Sequence, residues 1–191
     1  MKRGPKKEDV WRVPYAVKPE RPRIQITPPA TRNTLLLLNR QSVRRVDLRL
    51  LRQITRALLT EVSGGETHEL GIHLVGAQEM ALVNETFLQH SGSTDVITFD
   101  NSTLAAPEHP APLSGELFIC VDDAVKQARE FRTTWQAEIV RYVVHGVLHL
   151  RGYDDLTVLA RRQMKREENR LVRVLAKKFP FLRLAKVCAR V

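Results

Sequence analysis

No run of about 18 apolar residues occurs in this 191-residue chain. The longest greasy stretch, Leu35 to Leu38, is only a strand's worth, which excludes a spanning helix and predicts no membrane partner. Cysteine is scarce: Cys120 and Cys188 are the only two, and they lie far apart. No apolar segment follows the basic N-terminus, so a secretory signal is not expected. The default is a cytoplasmic chain with reduced thiols. Internal repeats and heptad arrays are also missing. Hydrophobic residues at 43% and charged residues at 27% are ordinary globular values, which excludes wholesale disorder and fibrous classes. The length suffices for one domain with a sizeable core.

The net charge of +10 is unevenly placed. Residues 1–32 hold 9 Lys/Arg against 3 Asp/Glu, a net of +6. Residues 33–155 hold 11 against 16, and residues 156–191 hold 11 against 2, so the middle is −5 and the C-terminal part +9. Two basic ends on a mildly acidic middle suggest a polyanionic partner, nucleic acid before membrane.

Six of the ten prolines crowd residues 1–32, with Lys2, Arg3, Lys6 and Lys7 repelling one another. Such a stretch buries too little to offset its ordering entropy, so it reads as a mobile basic extension. A single domain is expected over residues 33–179, followed by a basic tail at 180–191. Thr34 to Asn39 is a short apolar strand. Asp47 can cap a helix from Leu48 to about Thr60, and Gly64-Gly65 breaks it. Glu69 to Val75 alternates as a strand, Ala77 to Leu88 reads as a helix, and Thr94 to Phe99 is β-branched and strand-like. Residues 101–114 read as a loop, Leu117 to Val121 as a strand and Asp122 to about Phe131 as a helix. Another helix starts at Thr133 or Thr134 and runs through Leu150, ended by Gly152. A last one spans Leu156 to about Lys178, because Pro180 forbids its continuation. The order β, α, β, α, β, β, α, α, α predicts an α/β fold, a mixed sheet of about four strands packed with about five helices.

The informative segment is His145-Gly146-Val147-Leu148-His149-Leu150-Arg151-Gly152-Tyr153-Asp154-Asp155. His145 and His149, four apart on a helix, project from one face one turn apart and can grip one metal ion. Gly152 turns the chain back over the helix end. A third donor just after that turn, Asp155 or Asp154, would close a facial set with a position left for water, as in a catalytic zinc site. A helical zinc protease carries Glu directly after its first His as general base. Here Gly146 stands there, which argues against a peptidase of that kind. Thr94 and Asp95 open a strand beside a short loop, where polar groups either cap the strand or reach a cleft. On the last helix, Arg161, Arg162, Lys165, Arg166, Arg170 and Arg173 include the stripe Arg162–Arg166–Arg170, which favours an anion-facing role.

At these residues the chain resembles a known family. HGVLHLRGYDD is similar to the HGxLHLxGYDH motif of the YbeY family, bacterial rRNA maturation factors and single-strand-specific endoribonucleases. Leu82-Val83-Asn84 through Thr94-Asp95-Val96-Ile97-Thr98-Phe99 resembles the family's LN…TDVLSF stretch. Ser114-Gly115-Glu116-Leu117-Phe118-Ile119 resembles its GDIxI strand, and Met164 and Glu167 fit the helix after the motif. The resemblance implies zinc held by three histidines in a cleft formed by the helix and the Gly turn. Two of them map onto His145 and His149, and the third onto Asp155. An aspartate oxygen can ligate zinc, but it lowers the site's net charge and makes manganese or magnesium more competitive. A second departure is Leu88, where the family commonly has Arg four places after the Asn of its LN motif. Asp154 is expected to orient a neighbour or cap the turn.

The resemblance thus implies a metal-dependent endoribonuclease acting on single-stranded rRNA, with the ribosomal subunit as partner. The alternative is an RNA-binding ribosome assembly factor whose turnover is impaired by the Asp155 and Leu88 changes.

Overall fold

The computed structural model describes residues 33–64, 66–102 and 112–186. The basic Pro-rich stretch 1–32 and Cys188 lie outside the described residues. In chain order the elements are β1 (Thr34–Asn39), α1 (Leu48–Ser63), β2 (His68–Val75), α2 (Ala77–Leu88), β3 (Val96–Asp100), β4 (Leu113–Cys120), α3 (Val121–Glu130), α4 (Trp135–Leu150) and α5 (Val158–Lys178). The sheet order is β1-β2-β4-β3. β1, β2 and β4 run parallel, and β3 is antiparallel to β4. This is the α/β architecture expected from the sequence, with four strands and five helices among the described residues.

Local chemistry explains most element ends. Asp47 caps α1, its Oδ1 accepting from Arg49 N at 2.9 Å and Leu50 N at 3.1 Å. The helix runs one turn beyond the expected Thr60, to Ser63, and stops where Gly64 takes φ +58°. Thr134 and Thr157 cap α4 and α5 by accepting from Ala137 N and Ala160 N. The latter cap starts α5 at Val158, two residues after the expected Leu156.

Two strand starts differ from expectation. β4 begins at Leu113 rather than Leu117, because Leu113 to Gly115 already pair with His68 to Leu70, and Gly115 also with Asp100. Pro112, with no N–H to offer a ladder, sits just before it. β3 begins at Val96 rather than Thr94, because the Asp95 carboxylate folds back on its own main chain. Its Oδ1 accepts from Val96 N at 2.9 Å and from Thr94 Oγ1 at 3.1 Å.

The sheet buries both faces unequally. Leu70, Ile72 and Leu74 of β2 and Leu117 and Ile119 of β4 point into the main core with Leu51, Ile54 and Leu58 of α1. The opposite face sends Val75, Ile97, Phe99 and Cys120 into a smaller cluster closed by Met80 of α2. α4 is apolar nearly all round, with Ile139, Val140, Tyr142, Val143, Val144, Val147 and Leu148 buried, and it forms the centre of the domain. It can press close to the sheet because residue 146 is glycine. A Cβ there would lie 2.6 Å from Leu117 Cδ2 and 3.1 Å from Thr98 Oγ1. Gly146, the residue that removes the protease-type base, is thus a packing contact between α4 and β3–β4. The chain after Pro180 stays on the domain as far as described. Phe181–Leu184 forms a 3-10 turn that buries Leu184, and Ala185 bridges Val46.

Candidate metal centre

Helical periodicity brings His145 and His149 to one side of the C-terminal turn of α4, with ring centroids 4.7 Å apart and planes at 81°. His145 is buried and His149 partly so. Their Nε2 atoms lie 3.1 Å apart. The other nitrogen of each ring faces an acceptor. His145 Nδ1 lies 3.2 Å from Glu168 Oε2, and His149 Nδ1 lies 3.1 Å from the Tyr153 carbonyl oxygen. A carboxylate and a carbonyl can only accept, so each Nδ1 carries the hydrogen and each Nε2 turns its lone pair toward the other. Two such lone pairs repel unless a positive charge sits between them, either a shared proton or a metal ion. Burial, with His145 adding to it, pushes His149 down to about 4, which leaves its ring neutral and able to ligate near neutral pH.

The turn after α4 supplies the third group. Gly152 takes φ +82°, and its N–H and that of Tyr153 bond back to the carbonyls of His149 and Leu148. This reversal carries Asp154 and Asp155 back toward the histidines. Asp155 is the buried one, at 5% exposure. One ligand atom each from His145, His149 and Asp155 lie within 4.8 Å of one another, the one such group of three His, Cys, Asp or Glu among the described residues. Burial raises the Asp155 carboxyl, while His145 and Arg161 pull it back. Asp154 instead accepts from Leu156 N at 2.8 Å, capping the turn. The donor chemistry suits a divalent cation: two imidazole nitrogens and one carboxylate oxygen, with no cysteine in the group. The 3.1 Å nitrogen separation is close to what two ligands share on one tetrahedral zinc with bonds of about 2.0–2.1 Å.

Beneath this group lies a carboxylate that sequence reasoning does not single out. Glu168 is 1% exposed. It sits on α5 in the buried stripe Met164, Glu168, Leu171, Leu175. A charge at a core position of an amphipathic helix is the signal that could have found it. Burial alone would raise its carboxyl, but the His145 hydrogen bond and the charges of Lys165 and Arg141 outweigh that and hold it at about 2. Arg161 and Lys165, read from the sequence as part of a basic surface, turn inward. Arg161 Nε donates to the Asp155 carbonyl oxygen at 3.1 Å, and Lys165 Nζ donates to Glu168 Oε1 at 2.9 Å. Arg162, Arg166, Arg170, Arg173 and Lys177 form the outward stripe of α5, where Arg170 also grips Glu167 at 2.7 Å.

Thr94 and Asp95 lie at the entry to β3, which packs under α4. Asp95 is 3% exposed. Its Oδ2 has no hydrogen-bond partner, and burial raises its carboxyl to about 6 against the pull of His145. The loop before it is pinned by Asn84, whose Nδ2 donates to the Gly92 carbonyl oxygen at 2.9 Å. Leu88 packs against the smaller core cluster, so the position where the family commonly has Arg is apolar filling here.

A model of the family described as Endoribonuclease YbeY matches residues 37–176, which include every residue of the group above. The chain is similar to the Endoribonuclease YbeY of Chlorobium phaeovibrioides, at 32% identity over 125 residues, covering 65% of this chain and 80% of that one. It is likewise similar to that of Salinibacter ruber, at 30% identity over 145 residues, covering 74% of this chain and 92% of that one. In fold it resembles the solution structure of TM1509 from Thermotoga maritima, with a TM-score of 0.55 at 24% identity over 76% of this chain and 91% of that one. No helix among the described residues is long and apolar enough to cross a membrane. Since the matched family model takes in most of the sheet, the α4 motif and the turn that carries Asp155, the chain belongs to the YbeY family of endoribonucleases.

Proposed function

We propose that this protein is a metal-dependent endoribonuclease that cleaves single-stranded RNA in rRNA maturation, with His145, His149 and Asp155 holding one zinc ion. The observation that carries the reading is the pair of Nε2 atoms 3.1 Å apart, both Nδ1 hydrogens being committed elsewhere, with an Asp155 carboxylate oxygen within 4.8 Å of a nitrogen of each ring. A shared proton would account for the two imidazoles, but a buried carboxylate beside them is the third donor that a cation asks for. When bound, the ion supplies Lewis acidity to a phosphate oxygen and to water. The chain's own residues do the rest. Glu168 and the Tyr153 carbonyl orient the two rings, and Gly152 delivers Asp155. The exposed arginines of α5 offer charge to a phosphate backbone without reading its sequence. The oxygen donor from Asp155 leaves manganese or magnesium as competing ions.

Metal analysis of the full chain purified without added metal should find close to one zinc per chain. Single-turnover cleavage of a generic single-stranded RNA should vanish with a chelator and return with zinc. Protein that binds the RNA and carries no metal would overturn the nuclease reading. It would favour instead an RNA-binding ribosome assembly factor, the reading to which Asp155 and Leu88 lend support.

A further inference from the structure

Glu168 divides its two oxygens between different partners. Oε1 accepts from Arg141 and, at 2.9 Å, from Lys165, while Oε2 faces His145 Nδ1 at 3.2 Å. Arg141 and His145 are one turn apart on α4, and Lys165 is one turn before Glu168 on α5. The two cations therefore come from both helices and clamp the same oxygen, which aims the other at the imidazole. Arg141 is itself steadied by Asn169 Oδ1 at 2.9 Å. A buried cluster of this kind is seldom a net source of stability. A buried charge cluster replaced by apolar groups of similar volume is often neutral or stabilising, and the neighbours of Glu168 along its stripe are Met164, Leu171 and Leu175. The geometry instead serves the ring it touches. A fixed acceptor at Nδ1 keeps the hydrogen there and keeps the Nε2 lone pair turned toward His149 Nε2.

We propose that Glu168, clamped by Arg141 and Lys165, is a positioning residue that sets the tautomer and orientation of His145 for metal binding. This rests on the metal reading above, but its central claim concerns the metal-free protein and is read there. In the full chain with metal removed, side-chain nitrogen NMR of His145 should show hydrogen on Nδ1 and a bare Nε2. In Glu168→Gln the two cations hold the amide oxygen and turn the NH2 toward the ring, so His145 should shift toward the tautomer with hydrogen on Nε2. Zinc affinity by titration calorimetry, with zinc alone as the probe, should fall about 10- to 100-fold. Glu168→Asp retains the charge for Arg141 and Lys165 but withdraws the acceptor by one methylene. It should recover the Nδ1-H tautomer in part and part of the lost affinity.

A folded Glu168→Gln variant with an unchanged tautomer and zinc affinity within about threefold of the parent would overturn the proposal. Should that variant not fold, Glu168→Asp carries the test by the same two readings, and parental values in both would overturn it. A parent chain that binds no zinc but shows the tautomer change on substitution would sink the metal reading while leaving Glu168's hold on His145 standing.

Discussion

Arg161 grips Asp155 by its main chain: the guanidinium Nε donates to the Asp155 carbonyl oxygen at 3.1 Å. The turn that delivers residue 155 to the histidines is therefore anchored independently of the side chain it presents.

Asp155→His should accordingly retain the fold. It exchanges an oxygen donor for an imidazole nitrogen, a better match for zinc, so zinc affinity should rise by about tenfold or more relative to magnesium. Titration calorimetry with each metal checks this. Weaker zinc binding in the variant would mean that the pocket has been shaped around the carboxylate.

Gly146→Ala should damage the site from behind. The new methyl would meet Leu117 Cδ2 at 2.6 Å and Thr98 Oγ1 at 3.1 Å in a filled core. Overpacking of this kind costs about 1–3 kcal/mol, taken up by displacing the Leu117 side chain or by shifting α4 against the sheet. A denaturant titration should show the loss in midpoint, with zinc affinity lowered as the two histidines shift. A variant as stable as the parent would show that Leu117 can yield.

Asp95 makes stability depend on pH with a definite sign. Its carboxyl is raised from 3.8 to about 6 by burial, so between those values the native state binds more protons than the unfolded chain. That contribution favours folding at low pH and is lost as pH rises through about 6. Asp95→Asn retains an oxygen for Val96 N and Thr94 Oγ1 and abolishes the titration. Relative to the parent, the variant should gain on the order of 2–3 kcal/mol on going from pH 4 to pH 7, measured by urea unfolding in chelator. A stability difference between parent and variant that is flat across this range would refute the claim.

The basic ends make a prediction about RNA. Residues 1–32 carry a net +6 and share no residue with the histidine–aspartate group. Their removal should weaken binding of single-stranded RNA and flatten its salt dependence by roughly 0.7 in log–log slope for each phosphate that is no longer neutralised. Zinc content should be unaltered. Filter binding at several salt concentrations decides it, and identical slopes with and without residues 1–32 would make the segment a bystander.

Much of the centre was legible in the sequence because its parts are local. A helix places residues four apart on one face whatever surrounds it, so the pairing of His145 with His149 needs no tertiary contact to be read. Gly152 announced the reversal because a positive φ at a helix end is glycine's ordinary place. The alternation of strands and helices likewise carried the α/β architecture. Other features depend on which surfaces the core presses together. Asp154 and Asp155 are indistinguishable as neighbours in sequence. Only the closed turn buries the second and leaves the first to accept from Leu156 N. The start of α2 has no capping side chain of its own, and Ala77 N instead donates at 2.8 Å to Asp122 Oδ2, 45 positions along the chain. Glu168 meets His145 across 23 residues because α5 lays its buried stripe against α4. Helix and turn geometry are determined within a few residues by backbone hydrogen bonds and sterics, whereas the partner of a buried polar group is whatever the packing of distant apolar faces brings within reach.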